Sequence, residues 1–303
     1  MSELDAAGIT DPVLRASYAE CKRLNSLHGK TYYLATLLLP PAKRPFVHAL
    51  YGFARYADEI VDDLASTLTP QEKADVLRTW SSGVLADLAT GKSNDAVGAA
   101  LVDTVSRFAI PHQHFVDFLH SMEMDLTVTT YATFEDLYEY VYGSAAVIGL
   151  QMLPILGTLS DGAYESAKKL GVAFQLANFI RDVGEDLDRG RIYLPLDELA
   201  AHGVTEEMLY KRVLTPEIIA ALKFQIARVR QLQQEADAGI ELLDPTSRPC
   251  IRAASELYCG IVDEVEAIGY DIFNKRAKTS TARRVRVAGK AYLQALSARR
   301  ALR

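Results

Sequence analysis

Apolar residues recur at three- and four-residue steps along most of the chain, and long alternating runs are rare. Leu50, Phe53, Ala54, Ala57 and Val61 make one such stripe, and Leu176, Ile180, Val183 and Leu187 make another. That period belongs to helices with one buried face. β-branched runs are short, and no Asn-Gly or Asp-Gly pair stands between alternating stretches, so hairpin signals are missing. Breakers punctuate the pattern: LPPAKRP near Pro40, LTPQE near Pro70, GKSND near Gly91, IPHQ at Pro111, LSDGA near Asp161, DRGRIYLP near Gly190, LTPE at Pro216 and LDPTSRP near Pro245. The gaps between them predict helices of roughly ten to thirty residues. Thr69-Pro70 and Thr215-Pro216, each with an acid just after, predict helix starts with Thr as N-cap and Pro in the first turn. No linker is long or polar enough to mark a boundary and no repeat is evident, so residues 1–303 read as one all-α domain.

The most apolar window, Ala145–Leu159, is too short to span a bilayer and contains Gln151 and Pro154; it predicts a buried core helix. The N-terminus has no basic segment followed by an apolar stretch, hence no signal peptide is expected. Cys21, Cys250 and Cys259 are scattered, with neither zinc spacing nor a disulfide framework, which suits a reducing cytoplasm. The formal net charge of −6 argues against nucleic acid as a partner. One local bias runs the other way. After Asp271 there is no acid, while ten lysines and arginines follow, from Lys275 to Arg303. That segment reads either as a solvated helix face or as one drawn to phosphate or to an anionic membrane surface.

Two polar stripes change the picture. Gln175, Asn178, Asp182 and Asp186 follow steps of three, four and four, with Arg181 beside them and Glu185, Arg189 and Arg191 near. Tyr51, Arg55, Asp58 and Asp62 follow steps of four, three and four, flanked by Glu59 and Asp63. One exposed pair of acids four apart costs a helix only about 0.2–0.5 kcal/mol and signifies little. Two stripes, each set in apolar sequence and each carrying arginine, predict a pair of facing acidic surfaces. At about 6 Å and an effective dielectric near 20, each facing carboxylate pair costs on the order of 3 kcal/mol, which a divalent cation removes. Oxygen donors select magnesium or manganese over zinc, and magnesium commonly completes its shell with water and substrate phosphate. Arginine then grips phosphate oxygens in pairs. No nucleotide-binding glycine motif and no G-x-S-x-G elbow competes. His112 and His114 lie two apart and read as surface residues.

At these residues the sequence resembles the squalene and phytoene synthase family, the head-to-head prenyl diphosphate synthases. The resemblance runs through HGKTYYLATLLLPPAKRPFVHALYGFARYADEIVDD, YEYVYGSAAVIGL, QLANFIRDVGEDLDRGRIYLP and IGYDIF, close to the whole chain. Thr31-Tyr32 stands where the family usually has Ser-Phe. GSAAVIG stands where Ala-Gly-Thr-Val-Gly is commoner, a change that bears on chain length more than on activity.

The resemblance implies an isoprenoid-synthase-type helical bundle around a deep central cavity, with acidic motifs at its mouth. It implies magnesium or manganese held by Asp58, Asp62, Asn178, Asp182 and Asp186. Substrate diphosphate would be met by His28, Lys30, Thr31, Arg55, Gln175, Arg181, Arg191 and Tyr270. Tyr32, Tyr140 and Tyr142 offer aromatic faces to cationic intermediates or simply pack in the core. The catalytic set carried over is Asp58, Asp62, Asp182, Asp186, Arg55 and Tyr270. The implied reaction joins two geranylgeranyl diphosphates through prephytoene diphosphate to phytoene, with no NADPH. Squalene, presqualene diphosphate or dehydrosqualene formation from farnesyl diphosphate is the nearest alternative. A class I terpene cyclase fits less well, because its usual second motif has a different Asn/Ser/Glu pattern, and a non-catalytic assembly factor would not keep both acid motifs. Lipid substrates imply a protein that is cytoplasmic or peripherally attached to membrane, with the basic C-terminal helix as the place of contact.

Overall fold

A computed structural model describes residues 2–62 and 67–301; the side chains of Thr31 and Asp62 lie outside that description. The helices are α1 Glu3–Ala6, α2 Pro12–His28, α3 Lys30–Thr36, α4 Arg44–Asp62, α5 Pro70–Thr90, α6 Gly98–Phe108, α7 Gln113–Met124 and α8 Phe134–Val141. They continue as α9 Val147–Leu156, α10 Gly162–Asp188, α11 Leu196–Ala201, α12 Glu206–Tyr210, α13 Pro216–Asp237, α14 Arg248–Tyr258, α15 Ile261–Ala267 and α16 Thr281–Ala301. Among the described residues there is no strand, only two isolated bridges. None of the described helices is long and apolar enough to cross a membrane.

Local chemistry explains the helix starts. Thr69 accepts from the Glu72 amide and Glu72 reaches back to the Thr69 amide, a reciprocal cap with Pro70 in the first turn. Thr215 accepts from the Ile218 amide ahead of Pro216. Both starts agree with the sequence reading. The apolar window after Ala145 forms a buried helix, α9, again as expected.

Packing divides into two cores. One gathers α2, α4, α6, α7 and α9; the other gathers α8, α10, α13 and α15. Tyr142 and Ile251 pack against both. The helices α9 and α10 run close because each offers a glycine to the other. A Cβ on Gly149 would lie 2.6 Å from the Ala167 carbonyl oxygen, and one on Gly171 would lie 2.5 Å from that of Ala145. No side chain fits at those distances, so the crossing requires glycine. By contrast α4 and α10 are not among the closely packed pairs.

His48 helps hold α3 to α4. It is 1% exposed, stacks on Tyr33, and sets Nδ1 2.9 Å from Asn25 Nδ2. Its Nε2 is buried with no hydrogen-bond partner. Burial pushes the imidazole down from 6.5 to about 4, and Glu3 only partly opposes this. The unfolded ring takes a proton below about pH 6.5, whereas the folded one takes it only below about 4. Stability from neutral His48 is therefore complete above the first value and lost as pH falls toward the second. The gap corresponds to about 3 kcal/mol. Melting temperature measured between those pH values is expected to fall steeply in the wild type and less so in His48→Gln.

Candidate active site

The helix α10 carries its chemistry in sequence along one side. Ala163, Ser166, Ala167, Leu170, Gly171 and Phe174 line an apolar cavity, followed by Gln175 and Asn178 at its polar lip. The cavity has a volume of about 330 Å³. Ile148, Gly149, Met152, Leu153 and Leu156 of α9 form a second wall, so the apolar window both packs in the core and lines the cavity. Tyr32 and Thr36 of α3 and Leu39 form a third, with Cys250, Ala254 and Tyr258 of α14 facing them. From Ala163 to Asn178 is fifteen residues, a depth of about 22 Å at helical rise. At the far end α10 packs tightly on the turn after α13: a Cβ on Gly239 would lie 2.1 Å from Ser166 Cβ.

Beyond the lip the same stripe turns acidic. Asn178 Oδ1 is buried with no hydrogen-bond partner. One turn on, Arg181 grips Asp182 with two hydrogen bonds, Nε to Oδ1 at 2.7 Å and Nη2 to Oδ2. Arg276, from the segment after α15, reaches Asp182 Oδ1 at 3.1 Å and Glu185 Oε1 at 3.1 Å. A further turn on, burial and the Asp182 charge push the Asp186 carboxyl up to about 7, against the pull of Arg189 and Arg191. No three His, Cys, Asp or Glu side chains converge on one point among the described residues. The donor chemistry of α10 nonetheless fits a hard cation. A buried amide oxygen lacks a partner, one carboxylate is held by two arginines, and another is driven toward neutrality by its burial and by the Asp182 charge.

The α4 motif stands on the other side of Tyr32 and Tyr258. Tyr51 and Tyr32 lie 5.5 Å apart, ring to ring. Tyr258 is near enough to act electrostatically on Tyr51, on Tyr32 and on Arg181, which ties the two stripes to one region. Burial pushes the Tyr258 hydroxyl upward, and its ring stacks on Phe174 at 4.9 Å. Arg55 Nε binds Glu59 at 3.1 Å, and His28 Nε2 lies 3.9 Å from the same Glu59 oxygen. Lys30 is exposed at the start of α3, and Asp58 shares the α4 face of Arg55. The expectations for Thr31 and Asp62 lie outside the described side chains.

Four expected residues lie outside the cavity lining: Tyr140, Tyr142, Arg191 and Tyr270. Tyr270 points away from the cavity. Gly269 and Tyr270 both take left-handed backbone angles, φ 70° and 62°, and the half-buried ring lies beneath Lys223 Nζ, 5.6 Å from its centroid. Its neighbours are Glu266 and Arg230, not the acids of α10. Tyr140 and Arg191 both serve Asp125. Tyr140 donates to Asp125 Oδ2 at 2.7 Å and Tyr193 to Oδ1 at 2.8 Å, while Arg191 Nη2 donates to the Asp125 carbonyl at 2.7 Å. With Phe179 stacked on Tyr193 at 4.1 Å, they form a wall behind Asp186, outside the cavity lining. Tyr142 also lies outside that lining. His114, read as a surface residue, is half-buried with Nδ1 shut from solvent.

Four contributors went unread in the sequence as site residues. Tyr258 faces both the apolar cavity and a second hollow of about 260 Å³ lined by Arg181, Arg276, Lys278, Thr279 and Arg284. This hollow is cationic, with no acid on its wall. Asp125, Arg276 and Arg284 reach their places only through the fold; no spacing along the chain marks them, although the basic bias after Asp271 includes the two arginines.

Comparison with known proteins gives the same picture. The squalene/phytoene synthase family model matches residues 26–283. A chloroplastic phytoene synthase from Daucus carota is 39% identical over 305 residues, covering 98% of this chain and 75% of the relative. Phytoene synthase 2 from Zea mays is 40% identical over 290 residues, covering 93% and 71%. Among solved structures, a dehydrosqualene synthase in complex with ligand superposes with a TM-score of 0.84 at 30% identity, covering 94% of this chain and 98% of that one. Squalene synthase HpnC from Alicyclobacillus acidocaldarius gives 0.80 at 25%, covering 88% and 98%.

Proposed function

The chain belongs to the squalene/phytoene synthase family, and from that premise we propose that residues 1–303 act as one catalytic unit that joins two geranylgeranyl diphosphates head to head into phytoene. The relatives at 38–40% identity are phytoene synthases, which favours the C20 substrate over farnesyl diphosphate. The observation that carries the reading is the junction on α10, where an apolar cavity about 22 Å deep ends in Gln175 and Asn178 and passes directly into acids and arginines. A prenyl tail needs the first half and a diphosphate the second.

The family generally uses a divalent metal; magnesium suits the oxygen donors Asn178, Asp182 and Asp186 of α10 and the carboxylates Asp58 and Asp62 of α4. When bound, such a cation would neutralise the departing diphosphate. The protein's own groups do the rest. The cationic hollow of Arg181, Arg276, Lys278 and Arg284 accepts phosphate oxygens. The C1–O bond of one substrate breaks, and its allylic cation is attacked by the double bond of the other. Loss of a proton closes the cyclopropane of prephytoene diphosphate. A second C–O cleavage, rearrangement and proton loss then give phytoene and a second diphosphate. Tyr32 and Tyr258, half-buried in the cavity lining, present π faces to these cations, and the apolar walls exclude the water that would quench them.

The test is direct. Purified protein with magnesium and either geranylgeranyl or farnesyl diphosphate, with and without NADPH, is analysed by mass spectrometry. Phytoene from the C20 substrate without NADPH is expected. A C30 product formed faster from the C15 substrate would replace this reading with the dehydrosqualene or squalene one.

A further inference from the structure

We propose that the aromatic slot between α4, α5 and α6 binds an organic cation of the alkylammonium class. The slot has a volume of about 170 Å³ and shares no lining residue with the substrate cavity. Three rings build it. Phe53 and Tyr56 lie one turn apart on α4, and Trp80 of α5 stacks on both, 5.7 Å from the first at 21° and 5.1 Å from the second at 24°. Phe53 is 1% exposed and Tyr56 41%, so the aromatic wall runs from the core out to water. Trp80, Gly83 and Asp87 follow steps of three and four along α5 and share one side of that helix. A Cβ on Gly83 would meet nothing within 4 Å, so the slot is open at that level.

The charges of the slot are all of one sign. Asp87 and Asp95 line it, and no lysine, arginine or histidine does so among the described residues. Asp95, exposed ahead of α6, accepts the Val97 and Gly98 amides on Oδ1, at 2.8 and 2.7 Å. Among the described residues neither carboxylate has a cation as partner. Two unanswered carboxylates over low-dielectric walls focus negative potential into the hollow. Indole adds the aromatic face that attracts cations best. The same features choose the kind of cation. A hard metal ion needs a shell of oxygens that rings cannot supply, and no three acids converge on one point among the described residues. An alkylammonium head carries its charge beside C–H groups, and so suits ring faces and carboxylates together. A free quaternary amine and the lysine side chain of another protein both present such a head.

The chain has one tryptophan and it lines the slot, so its fluorescence reports occupancy. The full chain is titrated at constant ionic strength with choline, with lysine blocked at both backbone ends, and with the neutral tert-butyl analogue of choline. A saturable change with an ammonium ligand is expected, and none with the neutral analogue. Tighter binding of choline would identify a free cation, and tighter binding of blocked lysine a protein partner. Asp87→Asn/Asp95→Asn keeps an acceptor for the α6 amides and should raise the half-saturation concentration at least about tenfold. Tyr56→Leu, which keeps both charges, should raise it about threefold or more, and it tests the slot independently if the double variant melts early. Three results overturn the proposal: no saturable change with either ammonium ligand, a neutral analogue that acts equally well, or folded variants that respond as wild type does.

Discussion

Asp182→Asn is expected to lower the rate of product formation by at least about a thousandfold, equivalent to about 4 kcal/mol of transition-state stabilisation. Asp182 stands where the site's charges meet. Arg181 holds both its oxygens, Arg276 reaches one of them, and its charge helps push Asp186 up to about 7. Asparagine keeps the shape and one acceptor oxygen but removes the charge that a cation or an arginine would meet. Stability should change far less than activity, because the pair with Arg181 is partly open to water and the amide still accepts. Pre-steady-state assays with the C20 substrate separate the two effects when run well below the melting temperature. Chelator added to the wild type should produce the same loss, and magnesium should restore it. Turnover within a few fold of wild type in the variant would remove Asp182 from the site.

How much of this was legible beforehand differs by the kind of signal. Helices were readable because their causes are local: Thr69 and Thr215 cap within three residues, and the stripes of α4 and α10 repeat at the helical period. The α10 motif was readable for the same reason, since one helix carries Gln175, Asn178, Asp182 and Asp186 on one face. What could not be read were side chains whose role is fixed by a distant partner. Asp125 gathers Tyr140 and Tyr193 from fifteen and sixty-eight residues away, which no spacing rule connects. Arg191 looked like a phosphate ligand because it follows the acids, yet its guanidinium is turned toward Asp125 and Tyr193. The place of Tyr270 depends on two left-handed residues, a conformation glycine announces at 269 but an aromatic residue does not. Tyr258 carries no signal in the sequence, because a tyrosine on an apolar helix face reads as core; only its position between an apolar and a cationic hollow gives it a role.

Ser166→Leu is expected to change which substrate the enzyme prefers while leaving its chemistry intact. Ser166 lies twelve residues before Asn178 on α10, about 18 Å from the lip, and its side chain packs directly on Gly239 where both line the end of the cavity. A leucine there cannot turn into the space beside Gly239, so it fills the lumen and shortens it. Geranylgeranyl diphosphate is one isoprene unit longer than farnesyl diphosphate, and that last unit would be displaced. At about 0.8 kcal/mol for each buried methylene the loss is of order 3–4 kcal/mol for the longer chain and close to nothing for the shorter one. Adding the usual limits on discrimination by apolar pockets, the ratio of kcat/KM for the C20 over the C15 substrate should fall by about a hundredfold. The acids and arginines lie on the far side of Asn178 from Ser166, so the rate with farnesyl diphosphate should stay within a few fold of wild type. An equal fall for both substrates would mean the leucine had disturbed the crossing of α9 and α10 instead of the floor. An unchanged ratio would mean that the tail of the substrate does not reach Ser166, and that another wall sets its length.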